Sequence, residues 1–165
     1  MALLKLQQEI LCDVPTFWRQ FFDSELSRRL YLEGLGFPAY ETLAQVETDT
    51  EIRRTVAIEP KLSMPGPLVR MFGSSFRYTE EGVFERATGR FCWKLIPGVM
   101  AAKISVDGAL TVEPLGPSRL MRRVEFVRTE TAEMTMAARQ IVEPLDVLGD
   151  VRGRFLSTGV DALLD

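Results

Sequence analysis

The chain contains no histidine, and that absence excludes more than any residue present suggests. It removes the usual general base near neutral pH, the commonest metal ligand, and every Ser-His or Cys-His nucleophile arrangement. Most hydrolase mechanisms fall with it. Cysteine is nearly absent too: Cys12 and Cys92 are too few for a disulfide framework and are not spaced as metal ligands. They read as reduced, buried thiols. No apolar run approaches the roughly 18 residues of a membrane span, and MALLKLQQEILC at the start has no continuous apolar core of a leader peptide. A soluble, cytoplasmic protein is expected. A basic excess is also missing, since 20 Lys and Arg stand against 23 Asp and Glu for a net charge of −3. This argues against general nucleic-acid binding, which draws its affinity from a field of cations. Neither Gly73-Ser74-Ser75 nor GVMAAK fits a phosphate-binding or nucleotide fingerprint, so no cofactor and no metal are expected.

The 165 residues, 46% hydrophobic and 26% charged, suit one soluble globular domain over 1–165 with a substantial core. Leu4, Leu6, Ile10 and Cys12 alternate with polar neighbours as a half-buried strand does. Asp13 then stands at an N-cap position with Pro15 in the first turn, and Trp18, Phe21, Phe22, Leu26 and Leu30 recur at helical spacing. One amphipathic helix ending before Gly34 and Gly36 is expected. Two alternating runs, Tyr40 to Thr48 and Ile52 to Glu59, flank a turn at Asp49-Thr50 and read as a hairpin. PKLSMPGPLVRMFGSS is an irregular loop or one short helix. Further strands are expected at Ser75 to Thr79 and Gly82 to Ala87, joined near Glu80-Glu81, then at Arg90 to Pro97, Lys103 to Glu113 and Ser118 to Thr129. From Glu133 onward helix formers prevail. Pro144 interrupts them before a C-terminal helix carrying Phe155, Leu156, Val160, Leu163 and Leu164, weakened at Gly149, Gly153 and Gly159.

A strand, an aromatic-faced helix, a meander of antiparallel strands and a closing helix resemble the START-like (SRPBCC) helix-grip superfamily. The run FCWKLIPGVMAAKISVDGALTVEPLGPSRLMRRVEF, with Trp93, Pro97, Met100, Gly108, Glu113, Pro114 and Gly116, resembles a branch of it without an assigned function. VEPLDVLGDVRGRFLSTGVDALLD is similar to the segment that forms that branch's last helix, whereas TETAEMTMAARQ departs from the pattern as an insertion or extra helical turn. The resemblance implies an α+β helix-grip fold, a curved antiparallel sheet of six to seven strands wrapped around a long C-terminal helix. It implies a hydrophobic tunnel between the two, which in relatives holds lipids, sterols or polyketides.

The expected activity is non-covalent binding of a hydrophobic or amphipathic small molecule in that cavity, lined by Met64, Leu68, Met71, Phe72, Trp93, Phe126, Leu156 and Val160. Each of these also has a plainer role as core. Arg119, Arg122, Arg123 and Arg128 crowd one strand, with Arg122 and Arg128 on one face and Arg119 and Arg123 on the other. A solvated face with partners such as Glu113 is their simplest reading, but an inward Arg122 would anchor a carboxylate or phosphate. An enzyme of the polyketide-cyclase or hydrolase sort is a second reading. It would draw on a buried group among Glu80, Glu81, Glu85, Glu113, Glu125 and Tyr78, although strand glutamates usually face water. A third is an interaction module with a filled core whose loop Met64 to Phe72 binds a partner, and a homodimer through that loop or a sheet edge is compatible with the sequence. Cys92 and Trp93 are adjacent on a strand, so only one can line the interior.

Overall fold

The computed structural model describes residues 2–61, 77–98 and 104–130. Seven strands form one antiparallel sheet: β1 (Ala2–Ile10), β2 (Ala39–Glu47), β3 (Glu51–Glu59), β4 (Tyr78–Glu85), β5 (Arg90–Pro97), β6 (Ile104–Gly116) and β7 (Arg119–Glu130). Their spatial order is β1-β7-β6-β5-β4-β3-β2. The last strand therefore pairs with the first, and β1 and β2 become the two edges. The chain between those edges is helical and crosses one face of the sheet, which makes that face the inner one.

Period-two burial builds this face. Ile52, Arg54, Val56 and Ile58 of β3 and Phe91, Trp93, Leu95 and Pro97 of β5 all point inward and are buried, while their neighbours are half-buried or exposed, as a pleated strand with one covered face requires. Outward charges pair across strands: Lys5 Nζ lies 3.0 Å from Glu125, Arg119 Nε donates to Glu9 at 2.6 Å, and Arg123 pairs with Glu113. Those pairs are exposed and contribute little each.

The helix expected from Asp13 to Gly34 is broken. Helix α1 (Val14–Phe21) starts where the Asp13 carboxylate accepts from the Thr16 N–H at 2.7 Å. A second aspartate, Asp23, caps the Leu26 N–H at 2.8 Å and starts α2 (Ser24–Arg29). A single π-helical turn, Leu30–Gly34, follows. A caps-forming Asp competes with helix continuation because its side chain satisfies the backbone in an extended conformation. Phe17, Trp18 and Phe21 of α1, with Phe22, are buried against the sheet, with Trp18 4.3 Å from Phe84 and Phe21 5.1 Å from Phe91 between ring centroids. Burying each ring contributes about 2 kcal/mol. Tyr31 stacks on Tyr40 at 4.4 Å and ties the π turn to β2.

Two strand expectations change. Ser75 to Thr79 and Gly82 to Ala87 are not two strands joined at Glu80-Glu81. One strand, β4, runs through both glutamates, and the turn comes at residues 86–89 with Gly89 at φ 62°. The alternation continues through Glu80 because that carboxylate has a cation, Arg54, diagonally across from it on the inner face. Cys12 is buried as expected, but Cys92 is exposed on the outer face, since Trp93 takes the inward position. The expected C-terminal helix, with Leu156 and Val160, lies outside the described residues.

Candidate functional site

The site is the inner face of the sheet beyond α1. Arg54, Gly82, Trp93, Gly108 and Phe126 lie side by side across β3, β4, β5, β6 and β7. Trp93 thus has glycine on both sides. A Cβ at Gly108 would stand 2.2 Å from Cζ2 and 2.3 Å from Cε2 of the Trp93 indole, and one at Gly82 would stand 2.1 Å from Cζ of Phe91. No side chain fits at those separations. The two glycines leave bare backbone on which two rings lie, Phe91 across β4 and Trp93 across β6, with ring planes 22° apart and centroids 5.7 Å apart. Glycine weakens a strand interior, and close approach of another group is what such a position accommodates.

At the β3 end of the row stands a buried charge pair. Arg54 and Glu80 side chains are 2% and 1% exposed, and Arg54 Nη2 lies 3.7 Å from Glu80 Oε1. They are diagonal neighbours, with Glu80 opposite Val56 and Arg54 opposite Gly82. Arg54 Nη1 also donates to the Phe21 carbonyl at 2.6 Å, and its guanidinium lies 4.6 Å from the ring centroid of Phe21, 5.2 Å from Phe22 and 5.5 Å from Phe91. Gln45, paired with Arg54 across the strands, donates to the Phe22 carbonyl at 3.0 Å. Two side chains from the sheet thereby satisfy carbonyls at the end of α1, which its own helix leaves without donors. The planar guanidinium suits this position because it can stack and donate at once. Tyr78, two residues before Glu80 on the same face, is buried as well.

Arg122 is 4% exposed on the inner face, opposite Gln8 of β1 and Val112 of β6. The solvated reading of this arginine is therefore corrected, whereas Arg119 and Arg123 do carry exposed ion pairs on the outer face. Four residues along β7 separate Arg122 from Phe126, about 13 Å, so Arg122 and the Trp93 row occupy different parts of the face. Of the other expected lining residues, Phe126 has its backbone in that row. Met64, Leu68, Met71, Phe72, Leu156 and Val160 lie outside the described residues. Glu80 is the one strand glutamate among the acid-base candidates that is buried, which corrects the expectation that such groups face water. Arg54 is absent from the sequence expectations, and Gly82 and Gly108 enter them only as a strand start and as part of the family pattern, not as neighbours of Trp93. Arg54 could have been found there: Ile52, Val56 and Ile58 share its parity on β3.

Two recesses lie among the described residues. One of about 430 Å³ on the outer face is lined by Cys92, Lys94, Asp107 and Ala109 among others. Another of about 530 Å³ opens between the start of α1 and the strand ends, with Trp18, Phe22 and Phe84 inside and Arg19, Glu47 and Arg86 around it. Among the described residues no group of three or more Cys, Asp or Glu could hold a metal. No helix among them is long and apolar enough to cross a membrane.

No family model matches the chain, and no curated protein matches it. Solved structures do. A START superfamily protein from Mycobacterium smegmatis superposes with a TM-score of 0.56 at 15% identity, covering 98% of each chain. A point mutant of norcoclaurine synthase from Thalictrum flavum, in complex with a transition-state analogue, gives 0.66 at 15% identity, covering 99% of this chain and 96% of that one. The di-domain ARO/CYC protein BexL from the BE-7585A biosynthetic pathway gives 0.64 at 14% identity. All of this chain is covered, which spans about half, 48%, of that protein. At such identities the likeness establishes the fold alone.

Proposed function

This chain has a START-like helix-grip fold, and from that premise we propose that it binds a hydrophobic or amphipathic small molecule, without a covalent bond, between the inner face of its sheet and its C-terminal segment. One observation carries the reading: polar groups are buried on an otherwise aromatic and aliphatic inner face, with Arg54 and Glu80 at one side, Tyr78 near them and Arg122 at another. A purely structural core gains little from buried charge, because desolvation offsets the attraction between partners. A cavity that must orient a guest uses a few polar groups set among apolar walls. Trp93 and Phe126, with Met64, Leu68, Met71, Phe72, Leu156 and Val160, are the proposed lining, and Arg122 is the proposed anchor for a carboxylate or phosphate. Isothermal titration with a fatty acid, a sterol and a fused-ring carboxylate tests this. One class saturating at one molecule per chain with a negative heat-capacity change supports it, and silence from all three contradicts it.

A second reading, catalysis of the cyclase or hydrolase sort, is favoured by the burial of Glu80 and Tyr78 on one face of one strand. A carboxylate and a phenol so placed can pass a proton to and from a bound molecule. On this reading Glu80→Gln leaves binding intact and stops conversion of the guest. Recovery of the guest unchanged from the wild-type protein contradicts it.

A further inference from the structure

The recess of about 530 Å³ beside α1 falls within the size of small-molecule sites, roughly 300–1,000 Å³. Its sheet wall is one row across three strands, with Glu47 of β2 opposite Ile52 of β3 and Ile52 opposite Phe84 of β4. Its helix wall is Val14, Trp18 and Phe22, with Arg19 beside them. Residues four apart lie one above the other on a helix, so those three form a single apolar stripe. Trp18 and Phe22 meet Phe84 at 4.3 and 5.6 Å between ring centroids and join the two walls. Neither Trp93 nor Arg122 lines this recess, which separates it from the inner-face site.

The charges at its rim are not equally committed. Arg86 Nε donates to the Thr48 carbonyl at 3.0 Å and Arg86 Nη2 to the Glu47 carboxylate at 3.3 Å, so Glu47 already has its cation. Arg19 Nη2 donates to the Thr16 hydroxyl at 3.3 Å, and among the described residues no carboxylate forms an ion pair with it. Its acidic neighbour Asp13 is taken up by the Thr16 N–H at 2.7 Å. An apolar recess with one uncommitted guanidinium at its lip suits a guest with an apolar body and one negative charge. The body gains by leaving water, and a planar guanidinium holds a carboxylate through two parallel hydrogen bonds. We propose that this recess is a second ligand site, independent of the inner face, that takes a small apolar monocarboxylate with Arg19 as its anchor.

Titrating 1-naphthylacetate and 1-naphthylmethylammonium into the nitrogen-15-labelled full chain compares one ring body carrying opposite charges. The acid is expected to give saturable amide shifts at residues 14–22, 47–52 and 84–86, and the amine none. Arg19 is exposed, so Arg19→Gln is expected to keep the fold and weaken the acid about tenfold, the loss of one charge-assisted contact. Val14→Trp, which fills the recess, is expected to exclude the acid. Equal binding of acid and amine, unchanged acid affinity in Arg19→Gln, or acid shifts confined to β5, β6 and β7 overturns the proposal. Failure of both probes to bind overturns it too, and leaves the inner-face reading to its own titration.

Discussion

Arg54 ties α1 to the inner face of the sheet through one hydrogen bond, one ion pair and three ring contacts. Its partner Glu80 is buried equally deeply. Removing one member of such a pair leaves the other charge desolvated and uncompensated, so Glu80→Leu is expected to lose about 3 kcal/mol in urea unfolding. The double variant Arg54→Met, Glu80→Leu should recover part of that loss. A double variant as unstable as the sum of the singles would show that the pair itself contributes nothing. Gly82→Ala belongs at the same scale. Its Cβ would meet the Phe91 ring at 2.1 Å, and overpacking of this kind costs about 1–3 kcal/mol, read as a lower urea midpoint. Neither glycine advertises itself in the sequence, because whether a ring crosses a neighbouring strand depends on register. Arg54 and Arg122 share the parity of Ile52, Val56, Leu120 and Val124, so their inward direction was legible while their partners were not.

The helical crossing depends at the level of elements on two aspartates, Asp13 and Asp23. The N-cap at Asp13 and the approximate end at Gly34 could be read from residue types alone. The restart at Asp23 could not, since helical spacing of apolar residues continues straight through it from Phe22 to Leu26. The Thr16 backbone N–H holds the Asp13 carboxyl below its ordinary value of 3.8, assisted by the Thr16 hydroxyl and by Arg19. A lowered folded-state value means that the cap's contribution to stability is fully present above pH 3.8 and is lost as the pH falls through the lower folded value. Asp13→Asn, which caps without titrating, is therefore expected to flatten the acid limb of the stability curve measured by urea unfolding between pH 2 and 5. An unchanged acid limb would mean that this carboxylate does not set it. Among strands, the hairpin of β2 and β3 and the long pair β6 and β7 were legible from alternation and Gly-Pro or Asp-Thr turns. The continuity of β4 was not, because two adjacent glutamates resemble a turn until a buried arginine explains one of them.

For the whole molecule, the meander leaves β1 and β2 as edges and sends the helices across one face between them. That arrangement pairs the first strand with the last, so Ile10 stands opposite Leu120, and the sheet is complete only after residue 130 has been placed. Long-range pairing of this kind folds slowly compared with helical bundles of similar size. The fold class was open to reading in element order, while the shape of the inner face was not, because it rests on cross-strand neighbours rather than on any one motif. The buried Arg54, Glu80 and Arg122 are what distinguish this inner face from an all-apolar one. Native mass spectrometry of the purified full chain, followed by extraction and identification of the bound mass, tests the ligand-binding reading of that face most directly. A stoichiometric apolar or amphipathic molecule, lost from a folded Trp93→Arg variant, is the expected result. A protein that carries nothing and gains no mass from fatty-acid, sterol or fused-ring probes would contradict it and assign the inner face to structure alone.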